Sequence, residues 1–129
     1  MIALDSSALI YYVEGSSDSR YRIAARLELA FRKPGSHAVA SKLGRLECRV
    51  KPLREGNREI LAAYERLFCL ERLELVDVTG SILDRATILR ATRRFGALDA
   101  IHLATALEHQ VDVFLTGDIA LASVWTQRF

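Results

Sequence analysis

Two acids in this sequence stand where a short apolar run gives way to polar residues. Asp5 follows Ile2-Ala3-Leu4, and Asp118 follows Val113-Phe114-Leu115 by way of Thr116-Gly117. Two more lie in apolar-patterned stretches. Glu47 shares a helical stripe with Leu43 and Val50, and Asp99 shares one with Leu103 and Ala106, so both lean toward the apolar side of their helices. Three of the four have a purely structural account. Asp5 and Asp118 suit helix N-caps, and Asp99 suits a first turn, where the helix dipole favours negative charge. Glu47 has no such account, and carboxylates are costly to bury unpaired. Four carboxylates brought together repel one another, and a hard divalent cation with oxygen ligands neutralises such a set. Mg²⁺, or Mn²⁺ in its place, acidifies water, orients a phosphate and screens developing negative charge.

The acids can meet only if the elements that carry them end on one side. The apolar runs at residues 2–4, 37–40, 73–78 and 111–115 predict strands. Helices are predicted over 8–13, from a cap at Ser17 or Asp18 to Arg32, from a Ser41 cap toward Pro52, and over 55–70. Three more run from Thr79 or Ser81 to Phe95-Gly96, from Leu98 to His109, and over 119–124. Alternating strands and helices imply an α/β fold: a central parallel sheet of about four to five strands flanked by helices. Such sheets bind ligands beyond the carboxyl ends of their strands, at a topological switch point. Asp5 and Asp118 both fall at such ends.

The chain has 129 residues, half of them hydrophobic and 26% charged, which suits a single domain over residues 1–129. No apolar run reaches the length of a membrane helix, and Asp5 arrives too early for a signal peptide. Membrane partners are therefore not expected. Cys48 and Cys69 form no CxxC pair, and His37, His102 and His109 complete no zinc spacing. They read as two buried free thiols in a reducing, cytoplasmic setting. Net charge is only +2, but residues 20–58 hold eleven Lys/Arg against three acids. A basic segment on an otherwise acidic chain suits a polyanionic partner, nucleic acid first. A solvated pair of Arg-rich helices accounts for that charge equally well. Acids and cations together point to a metal-dependent nuclease.

Four segments also resemble a known family. Leu4-Asp5-Ser6-Ser7-Ala8-Leu9-Ile10 resembles the opening motif of PIN domains, and Ser41 to Glu47 their first-glutamate segment. Leu98-Asp99-Ala100-Ile101-His102-Leu103-Ala104-Thr105-Ala106 is similar to their most recognisable helix, and Leu115-Thr116-Gly117-Asp118 to their closing T-x-D. The order and spacing hold from residue 2 to about 124. The short single-domain format resembles VapC-type toxins of type II toxin–antitoxin modules. That resemblance implies a Mg²⁺-dependent endoribonuclease acting on RNA, with Mn²⁺ a possible substitute. It also implies a homodimer held inactive by a VapB-type antitoxin in a hetero-oligomer. Carried over, the catalytic set is Asp5, Glu47, Asp99 and Asp118. Asp5, Asp99 and Asp118 would ligate metal, Glu47 would position water or assist proton transfer, and Ser7 and Thr116 would brace the site. Two features depart from the pattern. Gly117 stands where Asn is common, and the final edge strand of many relatives is short or absent.

Other residues carry weaker signals. Arg45 and Arg49 flank Glu47 but lie on the opposite side of its helix, which makes them candidates for RNA phosphate contact. His102 reads as a packed or hydrogen-bonded histidine before a general base. Asp112 reads as a turn acid, and Trp125 and Phe129 as core or dimer packing. Leu9, Tyr11, Tyr12, Ile23 and Leu27 form a candidate apolar groove, which in the family accepts the antitoxin. The alternative function is a catalytically silent PIN-like module that binds protein or RNA. Retention of all four acids disfavours it. A phospho-accepting receiver is disfavoured too, because the chain has no Lys after Lys51.

Overall fold

The computed structural model describes residues 1–127. Four strands, β1 (Ile2–Leu4), β2 (Ala38–Ser41), β3 (Leu73–Val76) and β4 (Val113–Leu115), form one sheet in the order β3-β2-β1-β4. All pairings are parallel, with Ala3 opposite Val39 on one side and Phe114 on the other. The sheet thus has four strands, the lower of the expected numbers. The chain winds outward from β1 to β2 and β3, then crosses back to place β4 on the far side of β1. The switch point lies between β1 and β4.

Helices α1 (Ser6–Glu14), α2 (Ser17–Phe31), α3 (Leu43–Arg54) and α4 (Arg58–Phe68) belong to one side of the sheet. Helices α5 (Gly80–Arg93), α6 (Ala97–Glu108) and α7 (Ile119–Gln127) belong to the other. Strand alternation divides the core accordingly. Ile2, Leu4, Ala38, Ala40 and Leu73 face α1 and α4, while Ala3, Val39, Val76 and Phe114 face α6 and α7. Trp125 is buried against Phe114, with ring centroids 5.7 Å apart, as expected for a core residue. Phe129 lies outside the described residues.

Several local expectations need correcting. The N-cap of α2 is Ser16, whose hydroxyl accepts from the Ser19 amide at 3.2 Å, rather than Ser17 or Asp18. Asn57 caps α4, so residues 55–56 form a turn, with Gly56 at φ +66°. Helix α5 ends at Arg94 in the left-handed conformation, one residue ahead of the Phe95-Gly96 pair. Helix α3 rotates away from the expected stripe. Leu46 and Val50 are 58% and 41% exposed, while Gly44, Cys48 and Pro52 face inward. Small residues bring α3 close to α1: a β-carbon at Gly44 would stand 3.1 Å from Leu9 Cδ1. Of the two cysteines, both free, only Cys48 is buried; Cys69 is exposed. No helix among the described residues is long and apolar enough to cross a membrane.

Candidate active site

Asp5 ends β1 and caps α1, its Oδ1 accepting from the Ala8 amide at 2.9 Å. Being only 3% exposed, the carboxylate needs further donors. Ser7 Oγ donates to Oδ1 at 2.6 Å, and Thr116 Oγ1 donates to Oδ2. The bracing expected of Ser7 and Thr116 is therefore present as hydrogen bonds. The same two hydroxyls fold the loop after β4, Ser7 Oγ accepting from the Gly117 amide at 2.8 Å and Thr116 Oγ1 from the Asp118 amide at 3.0 Å. Asp118 caps α7 in turn, accepting from Ala120 and Leu121 amides at 2.8 and 3.3 Å. The capping role and the place at the strand ends coexist in both acids.

Glu47 reaches the same rim from α3. Its Oε1 accepts from Ser6 Oγ at 2.7 Å and lies 2.6 Å from His102 Nε2. Burial raises the Glu47 carboxyl's affinity for protons, but the His102 and Ser6 hydrogen bonds and the His102 charge outweigh it, so its pKa is lowered. Asp99, in the first turn of α6, shows the reverse. Burial comes first, then the Asp118 and Asp5 charges, with a smaller push from Glu47, and together they overcome His102 and raise its pKa. Four acids from four separate segments thus act on one another electrostatically. Cys48, beside Glu47 in sequence, takes no part. Burial, with the Glu47, Glu14 and Asp5 charges, pushes its thiol up to about 12, so it is no nucleophile.

Among the described residues, no three His, Cys, Asp or Glu side chains form a ready-made metal cage. The donor set nevertheless suits a hard cation. It offers carboxylate oxygens whose mutual repulsion a positive charge would relieve, with Asp5 held in orientation by hydroxyls. Mg²⁺ commonly binds through one or two carboxylates, keeping its waters and meeting substrate phosphates, without a complete protein cage.

The basic residues sit differently. Arg45 and Arg49 both reach Glu65 of α4, at 3.2 and 3.5 Å, and Arg45 lies 5.2 Å over the Phe68 ring. They are not brought to the acids. Asp112 lies at the opposite end of β4, its amide bonded to the Met1 carbonyl at 2.9 Å, as suits a turn acid. His102 is the packed, hydrogen-bonded histidine expected of it. Ser6 is the residue of the network that the sequence reading did not single out, and its signal was the Ser-Ser doublet after Asp5. Gly117 also finds its reason. A β-carbon there would collide with Tyr11 Cε2 and lie 3.0 Å from Cδ2, so the Tyr11 ring occupies the space a side chain would need.

Residues 2–124 match the family model described as PIN domain. No curated protein matches the sequence. Among solved structures, the chain is similar to a toxin–antitoxin complex from Klebsiella pneumoniae (TM-score 0.70, 18% identity, covering 96% of this chain and 92% of that one). It is similar to VapBC2 from Rickettsia felis, bound to a promoter DNA fragment (0.73, 18%, 92% and 89%). It is also similar to VapC20 from Mycobacterium tuberculosis, a toxin that cleaves the sarcin–ricin loop (0.73, 15%, 96% and 95%). At these identities the likeness is one of fold.

Gly117→Asn is expected to destabilise the protein by about 1–3 kcal/mol through overpacking. Adding Tyr11→Ala should recover most of that loss, because it vacates the space. Denaturant melts of the two single variants and the double variant measure the coupling. Additive effects would show that the ring and position 117 do not compete.

Proposed function

The chain belongs to the PIN-domain family, and from that premise we propose that it is a metal-dependent endoribonuclease toxin of a VapBC-type toxin–antitoxin module. The observation that carries the proposal is the shared rim: Asp5 ends β1, Asp118 follows the adjacent parallel strand β4 in a loop that Thr116 ties to Asp5, and Glu47 is hydrogen-bonded to His102 of the helix that carries Asp99.

Asp5, Asp99 and Asp118 would hold Mg²⁺, or Mn²⁺ in its place. The ion's contribution when bound is Lewis acidity toward a phosphate and neutralisation of the charge that develops in phosphodiester hydrolysis. The remaining work falls to the chain. Ser7 and Thr116 keep Asp5 oriented. Glu47, fixed by Ser6 and His102, would align an attacking water or assist its proton transfer. Arg45 and Arg49 are the candidate RNA contacts. Their ion pairs with Glu65 are partly exposed, and such pairs contribute only about 0–1 kcal/mol. A phosphate can therefore replace Glu65 at little cost.

The antitoxin reading draws support from the α2–α4 side. Helix α2 has no fully buried residue. Between it and α4 lies a groove of about 640 Å³ bordered by Arg20, Tyr21 and Arg66. Beside that groove, an almost wholly apolar pocket of about 300 Å³ includes Leu9, Tyr12, Leu27 and Leu70. This arrangement suits a peptide with a bulky apolar anchor and flanking acids. Tyr11 is engaged with Gly117 instead. The homodimer reading draws on α3, where Leu46, Val50 and Leu53 form an exposed stripe at i, i+4 and i+7.

Antitoxin-free protein is expected to cut RNA with Mg²⁺ or Mn²⁺ and not with EDTA, and Asp5→Asn and Asp99→Asn should each abolish cutting. Gel analysis of total RNA reads this; a folded wild type that cuts nothing while failing to bind metal would favour the silent binding module. Arg45→Glu with Arg49→Glu should weaken RNA binding and flatten its log–log salt slope by about 1.4, at ~0.7 per phosphate contact. An unchanged slope would remove both residues from the interface. Light scattering of the coexpressed complex is expected to show two copies of this chain with antitoxin. Leu53→Glu should separate the copies and Leu70→Asp release the antitoxin, and a complex unaltered by both would overturn these contacts.

A further inference from the structure

We propose that His102, together with Ser6, is a positioning residue for Glu47: it clamps one carboxylate oxygen so that the other faces the acid cluster. The catalytic consequence rests on the nuclease reading above, whereas the clamp rests on geometry alone. Glu47 Oε1 lies 2.7 Å from Ser6 Oγ and 2.6 Å from His102 Nε2, and those two atoms are 3.1 Å from each other. The triangle joins α1, α3 and α6, three elements far apart in sequence.

The burial pattern shows why this contact carries more than packing. His102 is 4% exposed and Ser6 5%, while the Glu47 side chain is 24% exposed. Hidden donors therefore grip a carboxylate that still reaches solvent. A glutamate otherwise gives up rotamer entropy to stay in one orientation. Two donors on a single charged oxygen supply that restraint.

His102 itself is costly to keep. Its Nδ1 is buried and has no hydrogen-bond partner, so it is desolvated without compensation. A carboxylate oxygen accepts, so Nε2 is the ring nitrogen that donates to Glu47. Between Ala100, Leu103 and Ala104 on α6, the imidazole meets its polar partners through Nε2 alone, so what it does here beyond packing is done by Nε2.

The test combines His102→Leu, His102→Gln and Ser6→Ala with Glu47→Gln. His102→Leu is expected to lower kcat about 10- to 100-fold, with KM changed less than about twofold. His102→Gln, which retains an N–H donor, should restore part of the rate and covers the case in which leucine fails to fold. In the Glu47→Gln background, none of the three should cost more activity, because their effect passes through Glu47. Independently of activity, ¹⁵N-edited NMR should show a protected, deshielded His102 Nε2–H that moves in Glu47→Gln. Wild-type rates in His102→Leu, or an undiminished loss in the Glu47→Gln background, would overturn the proposal. A wild type that cuts no RNA with any metal would instead sink the nuclease reading. In that event the Nε2–H resonance still decides the clamp, and its absence would overturn that as well.

Discussion

A carboxyl group that is 3% exposed is costly to bury without hydrogen-bond partners, and Asp5 is the residue on which the rest of the site depends. Its two oxygens meet an α1 amide, the Ser7 hydroxyl and the Thr116 hydroxyl. The first starts a helix at the end of the central strand. The others fasten the β4 loop across the switch point, and Thr116 then shapes the turn that presents Asp118. One buried charge therefore sets the position of a helix, a loop and a second acid. The parallel sheet makes this possible, because β1 and β4 end on the same rim.

The opposite side of the rim is organised by a different economy. Glu47 and Asp99 come from helices on opposite faces of the sheet, and His102 bridges toward Glu47 from the helix that carries Asp99. Its influence on the two acids is of one sign and unequal strength. It brings Glu47 below its ordinary value, whereas for Asp99 it only moderates a rise driven by burial and by Asp118 and Asp5. The two acids therefore differ in environment, one paired with an imidazole and the other crowded by carboxylates.

Much of this was legible in the sequence because it is local. Strand ends, the four acids and the bracing hydroxyls follow from short patterns: apolar run, acid, Ser or Thr. What stayed hidden depends on how elements rotate against one another. Leu46 and Val50 match a buried stripe as well as Gly44 and Cys48 do, and period alone does not choose between them. The choice is made by α1, which approaches closely enough to demand glycine at position 44. The Ser6–Glu47–His102 contact spans 96 positions, and neither serine nor histidine announces a partner that distant. Gly117 departs from the family's motif where the Tyr11 ring fills the space a side chain would need.

The pairing of β1 with β4 has a consequence for how the protein comes into being. β1, one of the two strands at the middle of the sheet, meets β4 only across more than a hundred positions. Asp5 gains the Thr116 hydroxyl, and Asp118 as a companion, only once that pairing has formed. Because long-range parallel pairing closes late, the acid cluster is among the last features of the fold to assemble. A partly folded chain has the acids but not the rim that gathers them.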